Sequence, residues 1–349
     1  MKYSIIVPVY NRPDEVSELL ESLCSQTAKD FEVIIVEDGS EKTCKDVCDK
    51  YAGILDLHYY YKENSGPGQS RNYGAERANG EWLIILDSDV VLPEGYMKAV
   101  EEGLQGRPTA AWGGPDAAHE SFTPVQKAIS YSMTSFFTTG GIRGGKGKKL
   151  DKFFPRSFNM GIRRDVYLQL GGFSKMRFGE DIDFSYRIVE AGHQACLIPD
   201  AWVWHKRRTD FRKFFRQVYN SGIARINLEK RHPGTLKLVH LLPTVFTVGV
   251  ITLILIGAFG RVMMVYGNPD DFRMWYWVVI AALAPILLYS LIILIDSTRQ
   301  NRNLKVGLLS IPAAFTQLMG YGFGFIESWW KRCILKQDEF QAFEKTFYK

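Results

Sequence analysis

The sequence predicts an α/β domain with a mainly parallel sheet, followed by an interfacial helix and an α-helical membrane region. Three observations carry this. Residues 1–205 alternate short apolar runs with stretches of helical spacing. Three of those runs end in polar residues that suit a ligand site. Residues 241–260, 275–295 and 306–326 carry no charge, and each run is about the 20 residues needed to cross a bilayer.

The elements follow in order. Residues 4–9 form a continuous apolar run, as expected of a strand buried on both faces. Val16, Leu19, Leu20 and Leu23 give residues 14–25 helical spacing, with Pro13 at a favourable helix start. Residues 31–36 read as a second strand running into Glu37-Asp38-Gly39-Ser40, and 43–51 as a helix. Residues 58–61 are a third strand, 68–78 a helix, and 82–86 a fourth strand ending at Asp87-Ser88-Asp89. This alternation implies parallel strands joined by crossover helices. Ligands then sit beyond the carboxyl ends of the strands, where Asn11, Asp38, Asp87 and Asp89 lie.

Composition narrows the function. The chain has 349 residues, 46% of them hydrophobic, which excludes a disordered or collagen-like protein. Net charge is +5; the basic residues gather beside the apolar runs, where anionic lipid explains them better than nucleic acid. Five cysteines without a CxxC pair read as reduced thiols, Cys44 and Cys48 sharing one helix face. The first ten residues lack the apolar run of a secretory signal, so the N-terminal half is expected in the cytoplasm.

The C-terminal half is read as an amphipathic interface segment over 209–236, a membrane region over 237–327 and a tail over 328–349. Phe211, Phe214, Phe215 and Val218 recur at helical spacing, with Arg212, Lys213 and Arg216 off that stripe, a pattern suited to a membrane surface. Basic residues flank the first two spans consistently with a cytoplasmic start and return. Lys331, Arg332 and Lys336 follow the third. A full third crossing would put these outside, against the positive-inside tendency, so either the third span, with Pro312 and Gly320, Gly322 and Gly324, is kinked or re-entrant and the tail stays inside, or the tendency fails here. Residues 130–149 mix aromatic, glycine and basic residues and read as a mobile loop facing the membrane.

Five motifs occur in order over residues 3–190. They are Ile5-Ile6-Val7-Pro8-Val9-Tyr10-Asn11, Val36-Glu37-Asp38-Gly39-Ser40, Gly68-Gln69-Ser70-Arg71-Asn72-Tyr73-Gly74, Leu86-Asp87-Ser88-Asp89 and Gly179-Glu180-Asp181-Ile182-Asp183. Together they resemble the family 2 glycosyltransferases. The resemblance implies a GT-A fold over residues 1–208, a nucleotide sugar, UDP-linked, as donor, and Asp181 as the general base. Glu180 would position the acceptor, with Asp183 a rival for the base. Pro8, Tyr10, Asn11, Asp38, Arg71 and Asp87 are implied at the donor. Glu37 departs from the family's more usual aspartate, which leaves Asp38 to read the base.

Physical chemistry supports each role. Asp38 before Gly39 can accept from a pyrimidine N–H, and Gly39 permits the tight turn. A guanidinium at Arg71 can meet base or diphosphate. Asp87 and Asp89, two apart in extended chain, would face one ligand and suit Mn²⁺ or Mg²⁺. His205 is a further candidate ligand. Arg207, Arg216 and Gln217 are candidates for an acceptor or lipid phosphate; the sequence lacks the QxxRW of processive synthases. The aromatic helix and spans resemble membrane-anchored transferases of succinoglycan-type exopolysaccharide synthesis. That implies a lipid-linked glycan as acceptor and a multi-pass protein of the cytoplasmic membrane with its catalytic domain inside. Two alternatives stand beside it: polyprenyl phosphate itself as acceptor, and a non-catalytic membrane scaffold.

Overall fold

A computed structural model describes residues 1–117, 122–140, 153–176, 178–206 and 208–343. The chain divides into two units, residues 1–120 with 149–206 and residues 121–148 with 207–349.

In the first unit, β1 (Tyr3–Val9), α1 (Pro13–Cys24), β2 (Phe31–Asp38), α2 (Lys45–Tyr51), β3 (Leu57–Lys62), α3 (Pro67–Ala75) and β4 (Trp82–Leu86) fall where the apolar runs place them. Then come β5 (Val90–Val91), α4 (Tyr96–Leu104), β6 (Ala111–Gly113) and β7 (Asp116–Ala117). Helices α5 (Pro124–Thr134) and α6 (Phe136–Thr139) belong to the second unit. The first resumes with β8 (Asn159–Arg163), α7 (Arg164–Gln169), α8 (Glu180–Glu190), β9 (Ala195–Leu197) and β10 (Val203–His205).

Seven strands form one sheet in the order β3-β2-β1-β4-β8-β6-β9. The run β3-β2-β1-β4 is parallel, and β8 lies antiparallel to β4 and β6. Period-two alternation builds a core on each face. Ile5, Val7, Ile35 and Ile84 pack with Val16, Leu19 and Leu20 of α1. Ile6, Ile34 and Ile85 pack on the opposite face with Ala75, Phe184 and Ile188. A second sheet, β5-β10-β7, has three short strands. Buried on both faces, β1, β2 and β4 offer polar groups to a ligand only at their ends. That is where the candidate site lies.

The second unit holds α5 and α6 with α9 (Phe211–Arg231), α10 (Leu242–Tyr266), α11 (Phe272–Asn301) and α12 (Leu304–Trp329). Among the described residues, three helices, α10, α11 and α12 with their flanks, are long and apolar enough to cross a membrane. At 26 residues α12 extends roughly 39 Å, against a hydrocarbon core of about 30 Å. It runs unbroken past Pro312. Its glycines meet a neighbour rather than make a re-entrant turn. A Cβ at Gly324 would lie 2.0 Å from the Tyr219 carbonyl oxygen, and one at Gly222 would lie 2.2 Å from that of Tyr321. Only glycine lets α9 and α12 approach so closely.

Two expectations change here. The stripe on α9 meets protein: Phe214 and Val218 are buried against Ile129 and Met133 of α5. The period was right, but a stripe cannot say whether lipid or a helix covers it. Residues 130–134 and 136–139 of the expected loop are helical, the first in α5, which a capping box between Thr123 and Gln126 opens. The basic cluster of residues 146–149 lies outside the described residues.

Candidate active site

The ends of β1, β2 and β4 and the start of α8 bring their polar residues together in the first unit. Pro8 is buried within β1 and Tyr10 follows its end. Asn11 takes a left-handed backbone, φ 54°. Its amide donates to Ser40 Oγ at 2.8 Å, and its Oδ1 accepts from the amides of Glu41 and Lys42 at 2.8 and 2.9 Å. Asn11 thereby ties the first loop to the second.

Asp38 is buried. One carboxylate oxygen accepts from the Ser65 amide and the other from the Gly66 amide, each at 2.9 Å, and Lys62 pairs with it. Lys62 stands directly across from Asp38 in the β2–β3 register. Gly39 has φ +72°, and a Cβ there would lie 2.7 Å from the Asn64 amide nitrogen, so the turn admits only glycine. Glu37 is fully buried and accepts from the Cys44 amide at 2.8 Å. It anchors α2, which explains why an acid stands there.

Arg71 bridges two carboxylates. Buried and laid over the Phe173 ring at 5.1 Å, it donates from Nη2 to Asp87 at 2.8 Å and from Nη1 to Glu180 at 3.0 Å. Its fork joins the end of β4 to the start of α8.

Asp87 and Asp89 converge by a different route from the one expected. The segment after β4 turns, and β5 then pairs antiparallel with β10, setting Val90 opposite His205. His205 Nε2 lies 3.2 Å from Asp89 Oδ1 and 4.0 Å from Asp87 Oδ2. The three residues offer ligand atoms within 4.8 Å of one another. Phe158 stacks on the imidazole at 5.1 Å, and His205 Nδ1 is buried with no hydrogen-bond partner among the described residues. Two carboxylates and an imidazole held this closely fit a small divalent cation. Arg12 pairs with Asp89 from the opposite side.

At α8, Asp181 Oδ2 accepts from Arg156 Nε at 2.6 Å and Oδ1 from the Ile182 amide at 2.9 Å. Burial disfavours its charge, but the Arg156 guanidinium outweighs that and holds Asp181 below the usual carboxylate range. Burial pushes Glu180 the other way, up to about 7, against the pull of Arg71. Asp183 is buried and pairs with Arg187 at 3.1 Å, and Arg187 in turn donates to the Leu170 and Gly172 carbonyls. Asp183 therefore fastens α8 to the preceding loop.

Three residues went unnoticed in the sequence. Lys62 closes β3 opposite Asp38, and Arg12 directly follows Asn11, so strand-end position signals both. Arg156 sits among Phe153, Phe154 and Pro155 with no such signal. In the second unit, Arg216 is buried with its guanidinium over the Phe343 ring at 5.8 Å, and Gln217 accepts from Arg208 at 3.3 Å. Arg207 lies outside the described residues.

The fold resembles that of a mannosyltransferase from Pyrobaculum calidifontis solved with GDP-Man and Mn²⁺: the TM-score is 0.56 at 15% identity, covering 95% of this chain and 88% of that one. A glycosyltransferase of Haemophilus influenzae, itself uncharacterized, is 31% identical over 203 residues, 54% of this chain and 62% of that protein. The poly(ribitol-phosphate) β-N-acetylglucosaminyltransferase TarS of Staphylococcus aureus is 39% identical over 93 residues, 26% of this chain and 16% of that protein. The chain thus spans less than two thirds of the length of the Haemophilus and Staphylococcus relatives. Residues 4–171, from β1 into the loop after α7, match the description Glycosyl transferase family 2, and the first unit has a mainly parallel GT-A-like α/β fold.

Proposed function

We propose that this chain is an inverting, divalent-metal-dependent transferase that moves a sugar from a UDP-linked donor to a hydroxyl of a lipid-linked saccharide. The observation that carries this is the Arg71 bridge: one buried guanidinium ties Asp87, on the donor side, to Glu180, beside the candidate base. Asp87, Asp89 and His205 would hold Mn²⁺ or Mg²⁺, which when bound neutralises charge on the departing diphosphate. Asp38, Asn11 and Tyr10 frame the nucleotide end. The acceptor oxygen bonds to the anomeric carbon as the bond to diphosphate breaks on the opposite face, and Asp181 takes the hydroxyl proton. Arg156 orients Asp181 and keeps it ionised. The apolar helices would hold the protein in the cytoplasmic membrane, as cell-surface polysaccharide synthesis requires.

The Arg156 pair also favours a second reading. It makes Asp181 a weak base, whereas a polyprenyl phosphate acceptor arrives ionised and needs little help from one.

The test is nucleotide release from a panel of nucleotide sugars by the full chain in detergent, with Mn²⁺ or EDTA, with and without a bacterial lipid extract. Metal-dependent release from one UDP-sugar, raised by the extract and lost in Asp181→Asn, supports the first reading. Lipid-stimulated release that survives Asp181→Asn supports the second. Metal-dependent nucleotide binding with no release on any lipid would leave a scaffold.

A further inference from the structure

We infer that Arg12 is a built-in counter-cation of the Asp87–Asp89–His205 cluster, which a divalent metal must displace from Asp89. The inference rests on reading that cluster as a metal site.

The backbone that carries Arg12 is fixed. Asn11 is pinned to residues 40–42 by three hydrogen bonds, and Pro13 opens α1 directly after. The side chain is the movable part. It caps nothing on α1, stays 25% exposed, and reaches Asp89 Oδ2 while His205 stands at Oδ1. Glu15 and Asp87 add to the negative field around it. A guanidinium on Asp89 neutralises charge that a metal would otherwise neutralise. Metal and Arg12 therefore compete for one carboxylate, and a cation near the bound metal opposes it by Coulomb repulsion.

Competition has a function. Without donor, Arg12 keeps the cluster from crowding its carboxylates and weakens metal capture. With metal in place, the freed guanidinium is a fork suited to the donor's diphosphate. Metal and nucleotide then bind cooperatively, because the nucleotide gives the displaced Arg12 a partner.

The test is titration of the full chain with Mn²⁺ alone, read by loss of the free-ion electron paramagnetic resonance signal. It is repeated with UDP and with GDP. Arg12→Gln should bind Mn²⁺ roughly tenfold more tightly without nucleotide, and should show less gain from nucleotide. Arg12→Lys, which keeps the charge, should stay close to wild type. Lys206→Gln is the control: its ammonium pairs with Glu18 at 2.7 Å, so losing that nearby charge should not tighten Mn²⁺ binding. Equal or weaker binding in Arg12→Gln, or equal tightening in Lys206→Gln, overturns the inference. If wild type shows no Mn²⁺ site that Asp89→Asn removes, the metal reading itself has failed, and the two failures are distinct.

Discussion

The two units handle buried charge in opposite ways. In the first, acids at strand ends and at the start of α8 are met by basic partners from other elements: Arg12 on Asp89, Lys62 on Asp38, Arg71 on Asp87 and Glu180, Arg156 on Asp181. In the second, the buried charged side chains are the cations Arg216 and Arg225 of α9 rather than acids, and close packing at glycine brings α9 and α12 together. Charge placed at a strand end is available for exchange with a ligand. Chemistry is expected from the first and anchorage from the second.

The largest effect that sharpens this contrast belongs to Asp89. Asp89→Ala removes a carboxylate shared by Arg12 and His205 and should lower metal-dependent nucleotide release by about a thousandfold, the scale of losing a main electrostatic stabiliser. Retention of most of the release, measured with saturating donor, would detach the cluster from catalysis.

Packing comes next. Gly324→Val puts carbon within 2.0 Å of the Tyr219 carbonyl. The helices must separate or shift, and strain of about 1–3 kcal/mol is expected. Thermal unfolding in detergent should fall by several degrees, with Gly249→Ala, which meets nothing within 4 Å, as the unaffected control. A variant as stable as wild type would show that the glycine seam is loose.

The same contrast explains what the sequence could and could not reveal. Strand ends were legible, because apolar runs mark where each strand stops, and the acids at 38, 87 and 89 stand at or just beyond those ends, while those at 180 and 181 open α8. Which basic residue meets which acid was not, since pairing across 16 to 109 positions of sequence depends on register. His205 shows this most plainly: its approach to Asp89 comes from the two-residue ladder between β5 and β10, too short to read from periodicity. On α9 the stripe of Phe214 and Val218 was legible as a stripe, but its partner α5 lies about 85 residues earlier in a segment whose glycines and basic residues suggested a loop.

A subtler effect separates the two acids at the start of α8. Glu180, raised to about 7 from 4.5, contributes stability while protonated. That contribution is fully present below 4.5 and is lost as pH rises through 7. Wild type should therefore lose melting temperature relative to Glu180→Gln between pH 5 and pH 8. If ionised Glu180 also holds Arg71 in its working position, wild-type release should rise through pH 7, and Glu180→Gln should lack that limb. Parallel pH profiles for both proteins would place the titration elsewhere.

The smallest effect tests whether the helical unit uses any charged contact for positioning. Tyr131 of α5 donates to Asp296 of α11 at 2.6 Å, while Gln300 donates to the same carboxylate oxygen at 2.9 Å. Tyr131→Phe keeps the ring against Ile293 and Ala314 and deletes only the hydroxyl. Because Gln300 still satisfies Asp296, the loss should be about 1 kcal/mol, near the mean for one hydrogen bond. Asp296→Asn keeps an acceptor and should cost less. Should Tyr131→Phe instead destabilise as much as Gly324→Val, the seam would not be what positions these helices. The second unit would then resemble the first in relying on a carboxylate held by a partner from a distant part of the chain.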